Sequence, residues 1–144
     1  MPFSIRPFRR FPLTYFSGFM ALIALLVLSS GPAYAEWEVV DKNDEGTTYI
    51  DPDTIRRNGG LVKVWTLHDY KTIRTSSGNS FWSVKGQEEY DCEEQRYRVL
   101  AWTGFSGNRG SGKAVSSNST EGTWQPVASE SVGHVLWTVA CAKK

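Results

Sequence analysis

The stretch Asn58-Gly59-Gly60-Leu61-Val62-Lys63-Val64-Trp65-Thr66-Leu67-His68-Asp69-Tyr70 decides the fold. Asn58-Gly59-Gly60 is a hairpin signal, because tight β-turns need left-handed backbone that glycine adopts without steric cost. Leu61 to Tyr70 follows as the best strand of the chain. Alternation sends Leu61, Trp65 and Leu67 to one face and Val62, Val64 and Tyr70 to the other. A strand apolar on both sides belongs in the middle of a sheet and is covered on both faces.

Working outward, the punctuation keeps predicting strands. Trp37 to Lys42 is a short alternating run, Asn43-Asp44-Glu45-Gly46 a turn, and Thr47 to Ile50 β-branched and aromatic. Asp51-Pro52-Asp53 breaks this run and Thr54 to Arg57 resumes it. Beyond Tyr70, Thr75 to Asn79 reads as a polar loop. Phe81 to Val84 and Glu88 to Cys92 read as one irregular strand, with Gly86 as a bulge or bend. Gln95 to Phe105 alternates, with Tyr97, Val99, Ala101 and Phe105 facing one way and Arg96, Arg98 and Trp102 the other. Ser106 to Gly112 is a glycine-rich turn, Lys113 to Ser117 an edge strand, and Gly122 to Val127 a connection. Ser131 to Cys141 fits two patterns. A helix gathers Val132, Val135, Leu136, Val139 and Ala140 into a stripe with Ser129 or Ser131 as cap, but leaves Cys141 nearly opposite. A strand puts Val135, Trp137, Val139 and Cys141 on one face. The pattern leaves both readings open.

The first 35 residues have the layout of a signal peptide. Arg6, Arg9 and Arg10 precede the apolar run Phe16 to Leu28, and Ala33-Tyr34-Ala35 is a small-x-small cleavage site. The run is shorter than the roughly 18 residues that cross a bilayer. Cleavage after Ala35 would leave one domain, Glu36 to Lys144, with no cysteine at its start for lipidation. The only cations lost are three arginines, so the formal charge falls from +1 to −2. That balance argues against a nucleic-acid binder and against a polybasic membrane anchor. Export places Cys92 and Cys141 in an oxidising compartment, where pairing is expected. Such a bridge is worth about 4 kcal/mol by loop-closure entropy.

Candidate chemistry is sparse. Gly107-Asn108-Arg109-Gly110-Ser111-Gly112-Lys113 has the spacing of a phosphate-binding loop, but Ala114 stands where the magnesium-ligating hydroxyl belongs and no helix start follows. His68 and Asp69, adjacent on a strand, point to opposite faces and cannot act as base and orienter with Ser83. His134 has no neighbouring ligand, so neither zinc nor any other cofactor is expected. Glu88, Glu89, Asp91, Glu93 and Glu94 surround Cys92 and read as a solvated strand end partly offset by Arg96 and Arg98. Of the six tryptophans most should be core. Trp102, with Arg96 and Arg98, is a candidate for partner contact. With no catalytic constellation, the residues argue for a small β-rich binding module and not an enzyme.

Taken in order, Trp37, Tyr49-Ile50-Asp51-Pro52-x-Thr54-Ile55-x-x-x-Gly59, Val62-x-Val64-Trp65-x-Leu67-x-Asp69-Tyr70, Ser83-x-Lys85, Glu89-Tyr90-Asp91-Cys92, Arg96-x-Arg98, Trp124-x-Pro126-Val127 and Cys141 cover nearly all of Glu36 to Lys144. In this ordered set the chain resembles the surface-adhesin protein E family of Gram-negative bacteria. The resemblance implies an α+β domain: a single antiparallel sheet of about six strands, with a C-terminal helix on its concave face tied to the sheet by the disulfide. It therefore favours helix over strand for Ser131 to Cys141. It further implies a surface adhesin that binds host extracellular-matrix proteins and forms homodimers. Without a lipidation cysteine, periplasm or secretion stands beside cell-surface display as the expected location. The alternative is a periplasmic structural or stress-related domain with no host partner.

Overall fold

The computed structural model describes residues 36–142; the predicted signal segment lies outside the described residues. Seven strands form one antiparallel sheet: β1 (Glu38–Lys42), β2 (Gly46–Asn58), β3 (Leu61–Ser76), β4 (Asn79–Asp91), β5 (Arg96–Phe105), β6 (Ala114–Asn118) and β7 (Gln125–Pro126). Their order is β1-β2-β3-β4-β5-β6, a plain meander, with β7 pairing one end of β5. One helix, α1 (Val132–Ala142), closes the chain. A single sheet with one helix is the architecture expected, and β3 is central as its two apolar faces required.

The β2–β3 turn uses Gly59 at φ 60°, the left-handed conformation that made Asn58-Gly59-Gly60 legible as a hairpin. The β3–β4 hairpin was less legible. Ser77 (φ 50°) and Gly78 (φ 79°) form a two-residue turn with both central residues left-handed. The strands therefore run on through most of the segment expected as a loop, and Thr75 and Ser80 hydroxyls meet across them at 3.1 Å. Asp51-Pro52-Asp53 does not end β2; it bulges it. The Asp51 carboxylate accepts the Asp53 N–H at 3.1 Å, and Thr54 Oγ1 accepts the Trp65 N–H at 2.9 Å in place of a ladder carbonyl. Proline is tolerated there because no ladder bond is asked of it.

The bulge expected at Gly86 lies elsewhere. Gly86 pairs regularly with Thr66 on one side and Trp102 on the other. The extra residue is Leu100 of β5, since Gln87 pairs with Ala101 while Glu88 pairs with Val99.

Helix α1 lies on the face that carries Ile50, Val62, Val64 and Tyr90, and it adds Leu136 and Ala140 to that core. Ser131 caps it, its Oγ accepting the His134 N–H at 3.1 Å. The helical reading left Cys141 off the apolar stripe, and the structure shows why this does no harm. Val132, Leu136 and Ala140 face the core, while Trp137 and Cys141, one turn apart, form a flanking stripe that meets consecutive residues at the end of β4. Trp137 Nε1 donates to the Asp91 carbonyl at 2.9 Å, and Cys141 is bonded to Cys92. The helix is apolar on two adjacent sides, so pattern alone resembled a strand.

None of the six tryptophans is fully buried, contrary to the expectation that most are core, and Trp65 is 37% exposed. An eleven-residue helix shields only part of one face of the sheet and none of the other, where Trp65 stands.

Candidate functional site

Two groups of polar and aromatic side chains were assembled by the sheet, one on each face. On the face opposite α1, Arg96 and Arg98 project side by side from β5. Arg98 donates from Nε and Nη2 to Glu89 Oε1 at 2.8 and 2.6 Å and also pairs with Glu121. Arg96 Nε donates to Asp91 Oδ2 at 3.0 Å. Both guanidiniums lie over the Trp124 ring, 4.7 and 4.5 Å from its centroid. Burial raises the Asp91 carboxyl, but N–H groups of Glu94 and Glu93 and the Arg96 guanidinium together bring it below the usual range.

The predicted trio is thus divided. Arg96 and Arg98 stand together, whereas Trp102 is on the opposite face, 6.4 Å from the Phe81 ring, which in turn contacts Tyr70. The inserted Leu100 reverses the alternation between Arg98 and Trp102, so counting by twos across a bulge assigns the wrong side. The aromatic partner of the arginines is Trp124, 26 residues further on, and no local pattern linked them.

On the α1 face, five side chains form a linked polar chain across the sheet. Thr48 Oγ1 meets His68 Nδ1 at 3.1 Å, and His68 Nε2 faces Glu88 Oε1 at 3.5 Å. Thr66 Oγ1 donates to the same Glu88 oxygen at 3.0 Å, and Tyr90 Oη donates to the other. Burial alone would raise the Glu88 carboxyl; hydrogen bonds from His68, Tyr90 and Thr66, with the His68 charge, outweigh it and leave the pKa lowered. Burial and the same carboxylate push the Tyr90 hydroxyl well up.

This chain ends at an open pocket of about 160 Å³ lined by Asn43, Glu45, Thr48, His68, Tyr70 and the α1 residue Val132. Burial raises Tyr70 as well, against the opposing pull of Arg74, whose guanidinium sits 4.9 Å over its ring. Threonine, histidine and glutamate follow one another in the order of a hydrolase relay. Thr48, however, is only 6% exposed and presents almost no surface to an acyl group.

The acidic cluster is not the solvated strand end expected from sequence. Glu88, Glu89 and Asp91 are all under a tenth exposed, each with the partners just described; among the five only Glu93 and Glu94 are exposed. Tyr90 two residues on was the available signal that Glu88 points to a core. His68 and Asp69 do point apart as expected. Asp69 instead holds the glycine-rich loop: its Oδ1 accepts the Arg109 N–H and Asn108 Nδ2, both at 2.9 Å. Arg109 (φ 55°) and Gly110 (φ 72°) form a left-handed pair, and a Cβ on Gly110 would run into the Lys85 side chain. A loop with phosphate-binding spacing thus cradles an internal carboxylate.

Among the described residues no helix is long and apolar enough to cross a membrane, and no group of three or more histidine, cysteine or acidic side chains is arranged to hold a metal ion. No curated protein matches the chain. Among solved structures it is similar to protein E of Haemophilus influenzae, with a TM-score of 0.58 at 13% identity over 77% of this chain and 89% of that one. A second structure, protein E from non-typeable Haemophilus influenzae, gives a TM-score of 0.54 at 12% identity over 77% and 80% of the two chains. At such identities the likeness speaks to fold alone. Residues 37–142 also match the surface-adhesin protein E family as a sequence, and the chain belongs to that family.

Proposed function

We propose that this protein is an exported, non-catalytic binding module of the adhesin kind that recognises extracellular-matrix proteins through the face bearing Arg96, Arg98 and Trp124. The observation that carries the reading is the packing of two guanidiniums on one half-exposed indole, the residue types that dominate binding hot spots. Their carboxylate partners hold the side chains in place before a partner arrives, which lowers the entropy cost of association. Saturable binding of purified protein to immobilised matrix proteins is expected, weakened about tenfold or more by Trp124→Ala or Arg98→Ala. Absence of saturable binding to any matrix protein would sink the reading.

Export follows from the signal segment, with the mature chain beginning at Glu36; N-terminal sequencing of protein recovered from outside the cytoplasm tests it. The competing assignment, a periplasmic structural or stress-related domain, is separated by treating intact cells with protease. A displayed adhesin is shaved, and a periplasmic protein survives until the outer membrane is opened. Light scattering of the purified protein tests the homodimer.

A further inference from the structure

Strand register and the 107–112 loop bring five residues with no assigned role into a line on the face opposite α1. Arg56 of β2 pairs directly with Lys63 of β3, which sets like charges at opposite positions across the strands. Such pairs destabilise a sheet unless a counter-charge intervenes. Arg56 Nη1 reaches only the carbonyls of Asp53 and Ile55, and Lys63 makes no ion pair among the described residues. Glu89, across from Lys63 on its other side, is held at two distances under 3 Å by Arg98.

Two residues along β3 on the same face stands Trp65, 37% exposed. Two residues further, the row Tyr49–Leu67–Lys85 carries another pair of cations: Lys85 itself, resting on Phe105, and Arg109, whose guanidinium lies 5.8 Å over the Tyr49 ring. Neither makes an ion pair among the described residues. The two cation pairs are about 13 Å apart along the strand, with the indole between them. Of the nearby carboxylates, Asp51 is 6% exposed and bound to the Asp53 N–H, Asp69 is bound to the loop, and exposed Asp53 meets Arg56 through its backbone carbonyl and not its carboxylate.

We propose that this line is the docking surface for a linear anionic polysaccharide. Sulfate or uronate groups would meet Arg56 with Lys63 at one end and Lys85 with Arg109 at the other, and a sugar ring between them would lie on Trp65. Charge complementarity favours this occupant, and its presence would relieve the Arg56–Lys63 repulsion that the fold otherwise retains. A nucleic acid could use the same cations, but its denser charge is opposed by the −2 formal charge of residues 36–144. The proposal is independent of the protein-binding array at Trp124 and uses none of its residues.

The test is retention of the purified protein on immobilised heparin at low salt, followed by titration with soluble heparin. Retention is expected to vanish as salt rises. Arg56→Gln with Lys63→Gln, and separately Lys85→Gln, should each weaken binding fivefold or more without lowering the melting temperature, which the first variant should raise slightly as the repulsion is removed. Lys42→Gln, on the β1 end, should bind as the wild type does. Three results would overturn the proposal: no retention of wild-type protein at low salt, equal binding by the folded variants, or competition by single-stranded DNA at least as strong as that by heparin of equal charge. Loss of matrix-protein binding by Trp124→Ala with heparin retention intact would separate the two surfaces.

Discussion

Asp69 and Glu88 show how much can depend on single carboxylates placed by strand alternation. Asp69 holds the 107–112 loop through two donors, so Asp69→Ala should cost about 1–3 kcal/mol in urea unfolding and make that loop the first site of proteolysis. Glu88 has a lowered pKa in the folded protein, so its contribution is present at neutral pH and is lost as pH falls through that depressed value, below the ordinary carboxylate range. Glu88→Gln should therefore reduce stability at pH 7 by about 1.5–3 kcal/mol, the worth of hydrogen bonds to a charged group. The gap between wild type and variant should then narrow in acid. A gap that stays constant from pH 7 to pH 3 would show that the charge is not what matters. His68, legible in sequence as a strand histidine, could not be assigned to Glu88, because its partners come from the neighbouring strands.

At the scale of elements, α1 is a short helix fastened at one end. Cys141 and Trp137 attach its last turns to the end of β4, and the Cys141 carbonyl accepts Arg57 Nη2 at 2.9 Å. Reduction, or Cys92→Ser, should lower the melting temperature by the equivalent of about 4 kcal/mol. An unchanged melting curve in reductant would contradict this. Leu136→Ala removes the helix's largest buried side chain and should cost about 2–5 kcal/mol in denaturant unfolding. β5 was legible as a strand, but its facing was not: one unpaired residue, Leu100, separates Trp102 from the arginines it was grouped with.

For the molecule as a whole, a single sheet covered on one face by one helix has too little interior for its aromatics. The tryptophans consequently stay partly exposed: Trp124 meets Arg96 and Arg98, Trp102 meets Phe81, and Trp137 reaches the end of β4 from the helix. Composition, hairpin glycines, alternation along β3 and two cysteines determined a β-rich, disulfide-linked domain, because these signals act within a few residues or through the chain's chemistry. The ordered motifs carry the resemblance to its family within the sequence itself. Pattern left Ser131 to Cys141 open, the family resemblance favoured helix, and the structure forms one over Val132–Ala142. Tertiary structure alone decided that Glu88, Glu89 and Asp91 are buried and that Trp124 joins Arg96 and Arg98. Each of those depends on strand register and on contacts between residues distant in sequence, and a bulge one residue long is enough to reverse what local periodicity implies.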